Sequence, residues 1–127
     1  MKAFHHVSLS VTDLDRSVAW YRRVFGLDEV LHEQGGDREA FVFRFAGSRL
    51  MIGLVRHAGN DTEPFRPATT GLDHMAFDAG SRDDLERWVD HLDALGVEHS
   101  GVLDIPVGAI VNFKDPDGIQ LAVFWEP

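Results

Sequence analysis

The amino-acid sequence predicts an α+β fold built from two tandem βαβββ modules, and three observations predict it. The chain has 127 residues, 44% hydrophobic and 26% charged, enough for one domain that buries a core without staples. It is also written twice. His6-Val7-Ser8-Leu9-Ser10-Val11 and His74-Met75-Ala76-Phe77-Asp78-Ala79 each open on a histidine, 68 residues apart, and the same offset pairs Trp20 with Trp88 and Phe45 with Phe113. An offset of 69 pairs Leu50–Val55 with Ile119–Phe124, the drift a one-residue loop insertion gives. Thirdly, within each copy the apolar spacing runs from alternation to a helical stripe and back. A generic α/β sandwich with chance similarity is the plainer alternative, but it does not account for the common order of the matches.

In the first copy Val7, Leu9 and Val11 alternate with His6, Ser8 and Ser10, a strand with one apolar face. Thr12 is expected to open a helix, with Asp15 three residues on as a capping-box-like pair. Leu14, Val18, Tyr21 and Phe25 form its stripe, and Gly26 stops it. Strands follow near Asp28–Glu33, Phe41–Phe45 and Arg49–Val55, with Gly35-Gly36-Asp37 and Gly47-Ser48 at turns. Residues 58–70, with Gly59, Asn60, Asp61, Pro64 and Pro67, read as a linker that could fold over a site. Module one therefore spans about 3–57 and module two about 71–127.

The second copy repeats the grammar. Ser81 caps a helix with Asp84 three residues on; Leu85, Trp88, Val89, Leu92 and Leu95 make the stripe, and Gly96 ends it. Strands are expected near Glu98–Val102, Ala109–Phe113 and Ile119–Trp125, the last two joined by the tight turn Asp115-Pro116-Asp117-Gly118. Trp20, Trp88 and Trp125 fall on apolar stripes and are read as core. The acidic face of Asp83–Asp93 reads as solvated, and His5 and His91 as surface residues.

Composition narrows the function. With no cysteine there is no disulfide, thiolate nucleophile or Cys-based zinc site. A formal net charge of -9 repels phosphate backbones, so no nucleic-acid partner is expected, and it favours cationic ligands on approach. No apolar run reaches the roughly 20 residues of a membrane span, and the N-terminus lacks a signal-peptide pattern. A cytoplasmic protein is the expectation. No nucleophilic triad, phosphate-cradling loop or dinucleotide fingerprint is found.

Phe4-His5-His6-Val7-Ser8-Leu9-Ser10-Val11-Thr12-Asp13-Leu14-Asp15-Arg16-Ser17 resembles the opening strand and helix start of vicinal-oxygen-chelate proteins, the glyoxalase, bleomycin-resistance and extradiol dioxygenase superfamily. Phe25-Gly26-Leu27 is similar to its helix exit, Gly71-Leu72-Asp73-His74-Met75-Ala76-Phe77 to its second-module opening, and Phe113–Leu121 to its final hairpin. The resemblance spans nearly the whole chain. It implies one domain whose modules curl a mixed sheet into a cup, helices on the convex side and ligand on the concave side, completed in many members by a homodimer. It leaves function open across lyases, epimerases, dioxygenases, thiol transferases and non-catalytic drug binders.

Strand parity assigns the cup-facing residues. If Val7, Leu9 and Val11 lie under the helix, His6, Ser8 and Ser10 face the cup, as do His74, Ala76 and Asp78. Likewise Met51, Gly53, Val55 and, further along, His57 face inward in one copy, and Gln120, Ala122 and Phe124 in the other. Arg44 and Asn112, taken as repeat equivalents at the offset of 68, join them. The candidate ligand-binding set is thus His6, Ser8, Arg44, Met51, Gly53, Val55, His74, Asn112, Gln120, Ala122 and Phe124; no catalytic residue is assigned.

Metal-using relatives, the resemblance implies, carry a His or Gln opening each module and a Glu on each module's last strand. His6 and His74 hold the first pair of positions, while Gly53 and Ala122 hold the second. Two imidazoles alone leave a divalent ion's charge uncompensated and supply fewer ligands than the three of a typical catalytic zinc site. The leading expectation is therefore a protein without a resident cofactor that binds a bulky organic molecule, as in drug or metabolite sequestration. The alternative is a metal-dependent lyase, isomerase or dioxygenase that keeps His6 and His74 as ligands of a divalent metal. A dimeric accessory domain without a ligand is the third.

Overall fold

The computed structural model describes residues 4–60 and 63–127; residues 1–3, the last of them the start of the expected first module, and 61–62 of the expected linker lie outside the described residues. The chain divides into two compact units, Met1–Pro64 and Phe65–Pro127, the division falling inside the expected linker. The N–H of Phe65 donates to the carbonyl of Asp117 at 3.0 Å, so the linker's second half already belongs to the second unit.

The first unit contains β1 (His6–Ser10), α1 (Leu14–Phe25), β2 (Asp28–Gly35), β3 (Arg38–Arg44) and β4 (Met51–His57). Its sheet runs β1-β4-β3-β2, with β1 parallel to β4 and the other pairs antiparallel. Leu9, Val11, Leu14, Tyr21, Val24, Phe43, Ile52 and Leu54 are buried between helix and sheet, each large side chain contributing about 1.5–3 kcal/mol. The helix starts one residue later than expected. Asp13, not Thr12, is the N-cap and accepts from the N–H of Arg16, while the Thr12 hydroxyl accepts from the Arg16 guanidinium. A carboxylate caps as well as a hydroxyl does, and with Asp13 capping, Leu14 begins the helix on its buried face. Gly26 ends it at φ 60°, as the sequence predicts. Gly36, at φ 61°, takes the first of two central positions in the hairpin between β2 and β3.

The second unit contains β5 (His74–Asp78), α2 (Arg82–Ala94), β6 (Leu103–Ile105), β7 (Gly108–Lys114) and β8 (Gln120–Trp125), in the order β5-β8-β7-β6. Ser81 caps α2 as expected, accepting from the N–H of Asp84. The strand expected near Glu98–Val102 is displaced to Leu103–Ile105, leaving one bridge between His99 and Phe113. The stretch stays tied to β7 at Ser100, whose N–H donates to the Asn112 carbonyl and whose hydroxyl accepts from the Asn112 N–H, both at 2.9 Å. His99 faces inward, with Nε2 3.0 Å from Asp93 and Nδ1 accepting from the N–H of Gly101, itself at φ 68°. Asp115 organises the β7–β8 turn, its carboxylate accepting from the N–H groups of Asp117 and Ile119. The tryptophans differ from expectation: Trp20, Trp88 and Trp125 are half-buried, at the margins of their stripes, with Trp20 edge-on to Tyr21 and Trp88 edge-on to exposed His91. Among the described residues no helix is long and apolar enough to cross a membrane.

Candidate functional site

Each sheet has one face under its helix and one without a helix, and strand pairing sorts the residues between them. In the first unit, Val7, Leu9, Ile52, Leu54 and Phe43 lie on the helix side. The ladder sets out the opposite face in rows. His6, Met51 and Arg44 are aligned across β1, β4 and β3; then Ser8, Gly53 and Val42; then Ser10, Val55 and Ala40. The second unit has the same plan: His74, Gln120 and Lys114; then Ala76, Ala122 and Asn112; then Asp78, Phe124 and Ile110. All eleven residues singled out from the sequence lie on these helix-free faces, five in one unit beyond His6 and the others in the second.

One pairing in the sequence reading is corrected. Arg44 stands beside Met51 in the first row, whereas Asn112 stands beside Ala122 in the second. The ladder equivalent of Arg44 is Lys114, and that of Asn112 is Val42. The loop between β7 and β8 is one residue shorter than that between β3 and β4, so the repeat offset grows from 68 at the histidines to 69 on the fourth strand and 70 on the third. A single offset carried through the chain missed Lys114; following the drift past the hairpin turn would have found it.

The two histidines are exposed and bonded through Nδ1. His6 Nδ1 lies 2.9 Å from His5 Nδ1, and His74 Nδ1 lies 2.6 Å from an Asp73 carboxylate oxygen. A carboxylate on Nδ1 fixes ring orientation and directs Nε2 outward. Gly53 is not open volume. A Cβ there would overlap the Ser8 hydroxyl and lie 3.1 Å from Ser8 Cβ, so the hydroxymethyl group of Ser8 already fills the space above Gly53, contrary to the vacated centre that two small residues imply. Ala122 is 1% exposed, while its neighbour Ala76 is exposed.

These residues do not make up the four-ligand metal set implied by the resemblance. Gly53 and Ala122 occupy equivalent second-row positions and offer no donor. Among the described residues no group of three or more His, Cys, Asp or Glu side chains could hold a metal ion.

Comparison with known proteins agrees with this architecture. A family model described as the Glyoxalase/Bleomycin resistance protein/Dioxygenase superfamily matches residues 3–123. A solved glyoxylase/bleomycin resistance protein/dioxygenase domain from Frankia sp. EAN1pec is 31% identical, with a TM-score of 0.92, over 100% of this chain and 99% of that one. Protein YaeR of Escherichia coli (strain K12) is 28% identical over 98% of this chain and 96% of its own length. The fosfomycin resistance protein FosX from Listeria monocytogenes, 20% identical, has a TM-score of 0.78 over 100% of this chain and 94% of its own; it shares the fold. The doubled βαβββ architecture, the histidine opening each module and the match over residues 3–123 together place the chain in the glyoxalase, bleomycin-resistance and dioxygenase superfamily.

Proposed function

We propose that the chain binds a small organic molecule on the helix-free faces of its sheets without a resident metal ion, in the manner of a sequestering protein. The observation that carries this reading is the paired replacement of an acid by Gly53 and Ala122 at ladder-equivalent positions. The rest of each face mixes apolar groups, Met51, Val42 and Val55 or Phe124 and Ile110, with a few polar ones, His6, Ser8 and Arg44 or His74, Gln120 and Asn112. Such a mix is usual for small-molecule sites. A cytoplasmic homodimer belongs to the same reading.

The test joins metal analysis to ligand screening. Protein purified without chelator is expected to carry no stoichiometric Zn, Ni, Fe or Mn. A small molecule bound at a hundredfold excess over Kd should stabilise the fold by about 2.7 kcal/mol. Ala76→Phe should abolish that gain without lowering the melting temperature of the free protein, because Ala76 is exposed on the same face. Stoichiometric metal lost in both His6→Ala and His74→Ala would defeat the reading in favour of a metal-dependent enzyme. That alternative draws its support from the Asp73–His74 bond, an arrangement that orients ligating imidazoles elsewhere.

A further inference from the structure

The first rows of the two faces share a feature that the rest of each face lacks. Each runs from a histidine through one spacer to a cation two strands away: His6, Met51, Arg44 and His74, Gln120, Lys114. Both cations are exposed, their strand neighbours Phe43 and Phe113 being buried on the helix side. The third cation on a helix-free face, Arg38, is engaged by Glu33 at 3.5 Å. Among the described residues Arg44 and Lys114 take part in no ion pair or side-chain hydrogen bond, even though Asp28 is the ladder neighbour of Arg44.

Two strand spacings place histidine and cation backbones about 10 Å apart, and a long cationic side chain has the length to reach back over the spacer. A small anion held by the cation would therefore lie over Met51 or Gln120, within reach of the imidazole edge. Its organic body would extend over the exposed second-row residues, Ser8 in one unit and Ala76 and Asn112 in the other.

We propose that these rows select an organic monoanion, a carboxylate, as the guest. The inference rests on the binding reading above and names the chemical class of its ligand. Arg44 presents a planar fork that matches a carboxylate, and Lys114 a point charge. Each row carries one unpaired cation, which balances one negative charge. A second negative charge would stand uncompensated near Asp28 in one unit and Asp73 in the other. The net charge of -9 opposes anions at long range. Diffuse charges beyond the Debye length of about 10 Å are screened, however, and a contact cation is not. The acidic surface thus lowers the approach rate of anions, while the rows decide what stays bound.

The experiment uses the intact chain and a collection of aryl- and alkyl-carboxylates, each with its primary amide, its amine and its phosphonate counterpart, followed by amide chemical shifts. Carboxylates are expected to shift the Ser8, Gly53, Asn112 and Ala122 amides and to bind about tenfold tighter than their amides, the margin between charge-assisted and neutral hydrogen bonds. Arg44→Gln or Lys114→Gln should erase that margin in its own unit; both positions are exposed, so the fold should be retained. Asp28→Asn should tighten carboxylate binding about twofold. Amides or amines binding as well as carboxylates, or a margin that survives both glutamine variants, would overturn the anion assignment and leave the organic-guest reading standing. Phosphonates binding tighter than carboxylates would overturn the monoanion assignment. If no compound of any class shifts these amides, both readings fall together.

Discussion

Gly53→Ala tests how the centre of the first unit's helix-free face is filled. Gly53 has no positive φ, so its backbone accepts an alanine, and a strand glycine replaced by alanine should gain about 0.4–1 kcal/mol through the unfolded chain. Against that stands overlap with the Ser8 hydroxyl and a 3.1 Å approach to Ser8 Cβ. The hydroxyl can rotate away, but the Cβ cannot without moving β1 against β4. Overpacking of this kind costs about 1–3 kcal/mol. The expected net loss is about 1 kcal/mol, or roughly 4 °C in melting temperature for a domain of this size. Urea titration followed by circular dichroism measures it, with an unchanged m-value showing that the unfolded state is not involved. Ser8→Gly combined with Gly53→Ala should restore most of the loss, because the exchange moves the one side chain to the other strand. A Gly53→Ala variant more stable than the parent, with Ser8 left intact, would refute the reasoning and show that the position is open after all.

Two further outcomes follow from single residues. Ser17 is fully buried in α1 and its hydroxyl has no hydrogen-bond partner among the described residues; Ser17→Ala should stabilise the fold by about 1 kcal/mol in the same titration, and a loss would mean that the hydroxyl is bonded. Asp104 and Arg82 form an ion pair between β6 and the start of α2, and the hydrogen bond from Arg82 holds the Asp104 carboxyl below its usual value. A carboxyl lowered on folding stabilises above its unfolded value, near 3.9, and that contribution disappears as pH falls through the folded value. Melting curves of the parent and Asp104→Asn should accordingly differ at pH 7 and converge as pH falls through the lowered folded value of the Asp104 carboxyl; a gap that persists in acid would contradict the pairing.

The helix-bearing frame was legible because both of its periods are local. Alternation in Val7–Val11 and the stripe Leu14, Val18, Tyr21 and Phe25 need only neighbouring residues to be read. Face assignment followed from the same alternation, so Ser8, Gly53 and Ala122 were placed correctly relative to the helices. What failed depends on contacts across strands or on side-chain bonds. The register between β7 and β8 is set by a turn one residue shorter than its counterpart, which moved Lys114, and not Asn112, opposite Gln120. Glu98–Val102 carries an alternating pattern, but with His99 bonded inward and Gly101 left-handed it meets β7 through one bridge and the bonds between Ser100 and Asn112 instead of a full ladder. The tryptophans follow the apolar stripes, yet their bulk holds them at the margins.

The bond from Phe65 to Asp117 fixes where the gene can be divided. The sequence places the start of the second module at Gly71, but a fragment starting there would omit Phe65, whose N–H donates to the Asp117 carbonyl in the β7–β8 bend. Dissection, permutation or grafting of the second half is therefore better begun at Phe65, where the fold itself makes the cut.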